Sequence, residues 1–194
     1  MRTNILVILL TLTVLIAPNT LAKGWVSVSL PTIYRFSQKD DSFFSSGSTL
    51  SGKPSGFILH GSIFEMPFAG YEKYQITLQG DDSDEVDAII DAVVYVEFFD
   101  IGLHFEQKNT HILIGYGYGS LKTECGLTTC STIDFDEGIA RQYFAQLGVE
   151  IVDNLNLHLS AHRITGQQDI SSGTTSDHLV LDGMMYAFGL KLGW

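Results

Sequence analysis

The stretch that decides the fold is the last one, His178–Trp194, which reads HLVLDGMMYAFGLKLGW. From position 184 onward, every second residue is large and apolar: Met184, Tyr186, Phe188, Leu190, Leu192 and Trp194. Most residues between them are small or polar, with Met185 as the exception. A period of two places side chains on alternate faces of a β-strand. The stretch therefore predicts a strand with one continuous apolar face and an aromatic residue at its end.

The end of this strand resembles the closing strand of bacterial outer-membrane β-barrels. That strand has a glycine, two spacers, an apolar residue, a spacer and a terminal aromatic residue, and Gly189, Leu192 and Trp194 stand at those positions. Ala187 fills a place that is more often polar. The resemblance implies that the barrel-assembly machinery recognises this strand as an assembly signal. The alternative is an edge strand of a soluble sheet, and the rest of the chain decides between the two.

The amino end has the composition of a secretory signal peptide. Arg2 precedes an apolar run over residues 5–16, and Pro18 and the small residue Ala22 follow it. A positive start, a short apolar core and a small residue before the cleavage point are typical of such a segment. The run is too short to span a bilayer comfortably as a helix. We therefore expect residues 1–22 to be a signal peptide, with an uncleaved anchor as the alternative, and residues 23–194 to form one exported domain.

The charge balance limits the partners. The 194 residues include 22 acidic and 11 basic ones, which gives a net charge of −11. Such an acidic chain is not expected to bind nucleic acid. The sequence also holds 19 glycines and 12 phenylalanines but only 4 prolines. An exported, acidic chain rich in glycine and aromatic residues suits an outer-membrane barrel, and it also suits a secreted β-sandwich.

Alternating stretches bring the count to about eight strands. They cover residues 25–30, 56–65, 74–78, 86–106, 112–118, 141–151, 155–162 and 178–194. Short turns around Pro67, Asn109 and Asn154 alternate with long polar loops around Gly47, Asp82, Gly126 and Gly173. Outer-membrane barrels have short periplasmic turns and longer external loops, and a sheet in a bilayer must close because edge groups cannot stay unpaired. We therefore predict an all-β, up-and-down antiparallel transmembrane β-barrel.

Two strands carry local irregularities, and a third alternates glycine with large residues. Pro31 lacks an N–H group and predicts a bulge in the first strand. Within residues 86–106 the apolar parity changes from even to odd near Phe99 and Asp100, which predicts a bulge or a turn there. Over residues 112–118, glycines alternate with isoleucines and tyrosines, which indicates a narrow barrel with a crowded interior. This glycine-rich stretch lacks the helix and the lysine of a phosphate-binding loop.

By size, strand count and turn asymmetry, residues 23–194 resemble the small OmpA-type outer-membrane barrels over nearly their whole length. The resemblance implies a location in the bacterial outer membrane, in contact with its lipid and lipopolysaccharide. Because the strand count is even, both termini would lie in the periplasm, where Trp25 and Trp194 would join an aromatic girdle. We expect a monomer with a structural or surface-interaction role and acidic external loops.

An eight-stranded barrel is just wide enough to be filled by side chains. The polar residues that we predict inside are Gln75, Gln142, Gln146, Glu150, His158, His162 and Lys191, together with Thr77 and Ser160. Buried polar groups need hydrogen-bond partners, so we expect Glu150 to pair with Lys191 or with His158. The set is then a satisfied polar core.

The alternative function is a lipid-modifying hydrolase. His158 and Ser160 lie on one face of one strand, and Glu150 or Asp182 would orient the histidine. The stretch departs from the pattern of the lipid A deacylases, in which Asn follows the serine, because Ala161 follows here. The lumen is also the wrong face for a lipid substrate. We therefore predict that the protein is not an enzyme.

The two cysteines, Cys125 and Cys130, are separated by four residues. In an exported protein this arrangement predicts a disulfide bond. A zinc site needs about four ligands, and no nearby residues supply them. The acidic segments 81–85 and 134–137 match no calcium-loop pattern. They are interpreted as solvated surfaces, with a cation bridge to lipopolysaccharide phosphates as the alternative. We predict no metal site and no cofactor.

Overall fold

The computed structural model describes residues 24–37, 49–63, 66–81, 92–125, 134–172 and 175–194. The predicted signal peptide, residues 1–22, lies outside the described residues. Within the described ranges, no helix is long and apolar enough to cross a membrane.

The described chain forms nine β-strands. They are β1 (Trp25–Phe36), β2 (Thr49–Ser62), β3 (Pro67–Asp81), β4 (Ala92–Gln107), β5 (Thr110–Cys125), β6 (Asp134–Phe135), β7 (Gly138–Val152), β8 (Leu155–Ser172) and β9 (Thr175–Gly193). The eight long strands pair antiparallel in chain order, and β9 also pairs with β1, which closes the sheet. The two-residue strand β6 pairs with β8. The predicted closed, eight-stranded antiparallel barrel is confirmed.

The barrel has two different ends. At one end the connections are tight, and the predicted turns at residues 108–109 and 153–154 are confirmed. Lys108 and Asn154 have positive φ angles of 55° and 65°, a conformation that is common in tight hairpin connections. Gly24 and Trp194, the first and last described residues, lie here too, because the Trp194 backbone N–H donates to the Gly24 carbonyl (3.0 Å) and that of Gly193 donates to the Asn154 carbonyl (2.8 Å). We call this the turn end and the opposite one the loop end.

The strands run further toward the loop end than predicted. Strand β2 starts at Thr49 instead of residue 56, and β8 and β9 are separated only by residues 173–174, although we predicted a loop over 165–177. Backbone pairing continues there, while the alternation of apolar and polar residues in the sequence fades. A hairpin surrounded by water needs no apolar face, so polar sequence does not distinguish it from a loop.

The outer surface of the barrel carries a belt of exposed apolar side chains. It includes Val28, Leu30, Ile33, Phe99, Ile101, Leu103, Ile112, Ile114, Tyr118, Tyr143, Leu147, Val149, Leu159, Tyr186, Phe188, Leu190 and Leu192. A soluble monomer rarely exposes so large a contiguous apolar surface. An outward apolar band is typical of a transmembrane barrel. The alternation predicted for β5 and β9 is therefore correct.

The two predicted irregularities have different outcomes. The β1–β9 register shifts between Pro31 and Ile33, so the bulge at Pro31 is confirmed. Strand β4, in contrast, keeps an unbroken register with both neighbours, so the bulge or turn predicted near Phe99 and Asp100 is wrong. Its even-numbered residues from Val94 to His104 face inward. They change from apolar, as at Phe98, to polar, as at Asp100, because the interior itself changes character along the barrel.

Glycines on the inner face make the narrow interior possible. A Cβ atom on Gly115 would contact the Phe144 ring, and one on Gly117 would contact the side chains of Asp100 and Gln142. The predicted crowded interior is therefore present. Large aromatic side chains also occupy the interior beside such glycines.

One aromatic side chain occupies a different place from the predicted one. Trp25 is 3% exposed and packs inside the barrel against Phe68 and His104, with ring centroids 5.7 and 4.9 Å away. Its predicted place in an outer aromatic girdle is wrong. Trp194 is 45% exposed, as a position in such a girdle requires.

Candidate functional site

The polar residues of the barrel interior form two groups. The mid-barrel cluster consists of His60, Glu72, Asp100, Gln142, Ser160 and His162. The turn-end cluster consists of Ser29, His104, Glu106, His111, Gln146, Asn156, His158 and Lys191. Five of the chain's six histidines belong to these clusters and are buried. All cluster members except Glu106 are buried, so their polar groups depend on one another.

Asp100 and Gln142 anchor one side of the mid-barrel cluster. The Gln142 amide nitrogen donates to Asp100 Oδ1 (2.8 Å), and His60 Nε2 lies 3.2 Å from Asp100 Oδ2. Both contacts need small residues beside them. Gly117 leaves room for Asp100 and Gln142, and Gly70 leaves room for the His60 ring. The cross-strand glycines thus position these polar side chains.

His162 connects the other side of the cluster. Its Nδ1 lies 3.2 Å from Gln142 Oε1 and 3.3 Å from Glu72 Oε1, and its Nε2 lies 2.9 Å from Ser160 Oγ. The ring is stacked on Phe144, with centroids 5.0 Å apart. Phe144 also stacks on His60, with ring centroids 4.9 Å apart. One phenyl ring therefore fixes the planes of both imidazoles.

Glu72 is the least satisfied member. It is fully buried, and neither carboxylate oxygen accepts a hydrogen bond from the described residues. Its nearest polar contacts are His162 Nδ1 at 3.3 Å and His60 Nε2 at 3.7 Å. In the described part of the chain, no lysine or arginine forms an ion pair with Glu72 or Asp100. Two buried carboxylates need compensation, which can come from the histidines, from a bound cation or from a proton on one of the carboxylates.

The turn-end cluster is better paired. Lys191 Nζ donates to Glu106 Oε2 (2.9 Å) and lies 3.1 Å from His104 Nε2. His111 is held between Asn156 and Gln146, at 3.2 Å from each. These contacts agree with one tautomer of His111, in which Nδ1–H donates to Asn156 Oδ1 and Nε2 accepts from the Gln146 amide.

A pocket of about 760 Å³ opens at the turn end. Its inner wall includes Trp25, His104, Asn156 and Lys191. From there the imidazoles continue inward: His104 and His111 have ring centroids 5.8 Å apart, and His111 and His158 have theirs 5.9 Å apart. The polar part of the interior is thus reached from the turn end.

The structure places most of the predicted lumen residues inside the barrel. Gln142, Gln146, His158, His162 and Lys191 are buried there. The prediction that Gln75 and Thr77 point inward is wrong. They are half-buried on the face opposite to the buried residues Tyr74 and Ile76. The reason is that the interior is apolar at this height, so in β3 the apolar residues face inward.

Glu150 also occupies a different place from the predicted one. Its Oε1 accepts a hydrogen bond from the Asn154 backbone N–H (2.8 Å), which holds the β7–β8 turn. The predicted pairing of Glu150 with Lys191 or His158 is therefore wrong, and Lys191 binds Glu106 instead. Glu150 lies four residues before Asn154, so its carboxylate is close enough to the β7–β8 turn to accept this hydrogen bond.

The alternative hydrolase set is not assembled. His158 Nε2 lies 2.7 Å from Ser29 Oγ and not beside Ser160, whose hydroxyl is paired with His162. Asp182 lies near Arg163, with 3.7 Å between Oδ2 and Nη2. The predicted nucleophile and base therefore belong to different pairs.

The predicted assembly signal lies on a strand that is paired on both sides. Gly189 faces inward next to His158, whereas Leu192 and Trp194 are 48% and 45% exposed on the outside. The predicted disulfide Cys125–Cys130 involves residue 130, which lies outside the described residues.

No protein-family model and no curated protein sequence matches the chain. Solved structures do. Neisserial surface protein A superposes with a TM-score of 0.57 at 9% identity, over 87% of this chain and 96% of that one. The outer membrane protein OprG from Pseudomonas aeruginosa gives 0.57 at 9% identity, over 90% and 97%. The outer membrane protein AlkL gives 0.53 at 12% identity, over 92% and 93%. The chain therefore has the fold of the eight-stranded outer-membrane β-barrels.

Proposed function

We propose that the protein is a bacterial outer-membrane barrel with a structural or surface-interaction role, and that it is neither an enzyme nor a wide channel. The observation that carries the proposal is the contrast between the two faces of the sheet. The outer face bears a belt of apolar residues, whereas the inner face is filled by side chains that pack or pair with one another. This arrangement suits a sheet that is surrounded by lipid, and it leaves no open channel through the barrel.

The filled interior argues against a pore. The loop-end half holds a packed apolar core that includes Tyr34, Phe98 and Met185, all with 0% exposure. The turn-end pocket leads inward to buried, hydrogen-bonded side chains such as Gln146 and His158. An eight-stranded barrel leaves no room for a channel beside such side chains.

The orientation that we propose places the turn end and both termini in the periplasm. Tight turns inside and longer connections outside are typical of this class of barrel. The loop end would then meet the outside, together with the acidic segments 81–85 and 134–137. There they would face lipopolysaccharide, and the disulfide Cys125–Cys130 would brace one of the loops. Strand β9 would present Gly189, Leu192 and Trp194 to the assembly machinery, and the barrel would act as a monomer.

Tag accessibility tests this proposal. A short epitope is inserted at residues 126–133 in one variant and at the 108–109 turn in another. Antibody binding is then measured on intact and on permeabilised cells. We expect the first epitope to be accessible on intact cells and the second only after permeabilisation. Recovery of the protein in the soluble fraction, without detergent, would contradict membrane insertion, and the reverse labelling pattern would contradict the orientation.

The disulfide has a separate test. Intact protein isolated from cells is alkylated before and after reduction and is then weighed by mass spectrometry. We expect alkylation only after reduction. A bond across so short a segment restricts little of the unfolded chain, so its removal should cost about 2–3 kcal/mol at most. Two thiols that react without reduction would contradict the bond.

A further inference from the structure

Three side chains of types that bind metals, His60, Glu72 and Asp100, meet in the mid-barrel cluster, and His162 lies beside Glu72. His60 comes from β2, Glu72 from β3, Asp100 from β4 and His162 from β8. Ligand atoms of the first three all lie within 4.8 Å of one another. All four residues are buried, so none of them is merely part of an acidic surface.

The spacing of the ligand atoms of His60, Glu72 and Asp100 fits a shared ion. A zinc ion with bonds of about 2.0–2.1 Å to nitrogen and oxygen holds its ligand atoms roughly 3.3 Å apart. The measured separations are 3.2 Å from His60 Nε2 to Asp100 Oδ2 and 3.7 Å from His60 Nε2 to Glu72 Oε1. Both separations are close to the length that zinc requires.

Charge and hydrogen bonding give independent support. Glu72 is completely buried, and neither of its oxygens accepts a hydrogen bond from the described residues. Together with Asp100 it brings two negative charges into a dry interior. With a neutral His60 imidazole, one divalent cation balances the two carboxylates and supplies a partner for Glu72. Leaving such charges uncompensated would be strongly destabilising.

The surrounding residues orient the ligands. The Gln142 amide donates to Asp100 Oδ1, which leaves Oδ2 on the His60 side. His162 is held by Ser160 and Gln142 and lies beside the Glu72 carboxylate. The Phe144 ring fixes both imidazole planes. Metal sites characteristically have such partners behind their ligands.

We propose that His60, Glu72 and Asp100 bind one divalent transition-metal ion inside the barrel, and that zinc fits this set of one imidazole and two carboxylates best. The ion joins three of the eight long strands at the height where the apolar and polar halves of the interior meet. Imidazole and carboxylate together favour zinc over magnesium or calcium, which prefer oxygen ligands alone.

The test is to measure metal bound by the folded protein. Because the site is buried, the protein is refolded into detergent with zinc present, washed with EDTA on a desalting column, and analysed for zinc by mass spectrometry. We expect about one zinc ion per chain in the wild type. Glu72→Gln, which keeps the shape of the side chain, should retain less than about a tenth of that amount. The matched control His158→Gln changes a buried histidine outside the site and should retain the full amount.

Refolding with Co²⁺ in place of zinc reports the geometry of the site. The wild type should show the visible absorption of tetrahedral cobalt, and Glu72→Gln should lack it. If Glu72→Gln does not fold, as judged by circular dichroism, Asp100→Asn gives the same comparison.

Two results would overturn the proposal. A wild type that binds neither metal would mean that protons on the histidines or on a carboxylate compensate the buried charges. Equal retention of metal by the wild type, Glu72→Gln and Asp100→Asn would place the ion elsewhere.

Discussion

One sheet encloses two different interiors. In the loop-end half, the inward residues are apolar and form a core that includes Tyr34, Ile76, Val94, Val96, Phe98, Leu121, Ile164, Leu181 and Met185. From the mid-barrel cluster to the turn end, the inward residues are mostly polar, and they include five histidines. The same closed backbone serves both halves, so the difference resides entirely in the side chains.

The comparison shows two ways of filling a narrow barrel. The apolar half is held by close packing, in which shape and volume matter most. The polar half is held by pairing, in which each buried donor and acceptor needs a partner. Packing tolerates changes of polarity poorly, and pairing tolerates the loss of one partner poorly. Substitutions in the two halves should therefore fail for different reasons.

The largest effect is expected from Phe98→Ala in the apolar half. Phe98 is 0% exposed, so its removal leaves a cavity in the loop-end core and should lower the free energy of unfolding by about 3–5 kcal/mol. The neighbouring Phe99 is 71% exposed on the outer belt and supplies the matched control. Phe99→Ala leaves no internal cavity and should cost much less. Urea unfolding of both variants in lipid vesicles measures the difference, and equal losses would contradict the assignment of faces.

The next largest loss of stability is expected when a charge is placed on the outer belt instead of in the polar interior. Leu190→Arg places a charge on the lipid-facing surface and should cost about 2–4 kcal/mol if the residue lies near the middle of the bilayer. The adjacent Lys191 already carries a charge, but it faces inward and is paired with Glu106. Moving the charge by one residue thus changes its environment from lipid to a hydrogen-bonded interior. Vesicle unfolding measures the loss, and an unchanged stability would contradict the position of the belt.

Much of the fold could be predicted from the sequence because lipid imposes a uniform outer face. Strands β5, β7, β8 and β9 alternate clearly, and the turns at Asn109 and Asn154 carry recognisable turn residues. The parity of β4 and the direction of Gln75 could not be predicted. Both errors assumed a polar interior throughout, whereas polarity inside the barrel depends on the distance from the turn end.

The mid-barrel cluster was beyond sequence reasoning for a different reason. Its members His60, Glu72, Asp100 and His162 come from four strands, and only the register of those strands brings them together. Asp100 also lies where the sequence predicted a bulge. Inward-facing glycines, such as Gly70 beside His60, mark positions where the interior is crowded. Which side chain lies beside each glycine is known only after the pairing of the strands is known.

A smaller effect is expected from Gly189→Ala in the polar half. A Cβ atom there would contact the Val28 carbonyl oxygen and lie 2.6 Å from both His158 Nε2 and Ser29 Oγ. The hydrogen-bonded pair would have to move, so we expect a loss of about 1–3 kcal/mol in the free energy of unfolding. Gly193→Ala is the control, because its nearest atoms would be 3.8 Å away. A harmless Gly189→Ala, measured in the same vesicles, would show that the interior is looser than described.

The smallest effect is expected from Ser160→Ala, which also separates a barrel anchor from an enzyme. Ser160 is buried, and its Oγ lies 2.9 Å from His162 Nε2, so the substitution removes one hydrogen bond and should cost about 1 kcal/mol. If the serine acted as a nucleophile, the same change would abolish turnover while the barrel still folded. Lipid A from cells that overproduce the wild type or the variant is compared by mass. We expect identical spectra, because Ser160 faces the interior whereas Leu159 faces the lipid with 65% of its surface exposed. Loss of an acyl chain with the wild type alone would assign the protein to the lipid hydrolases.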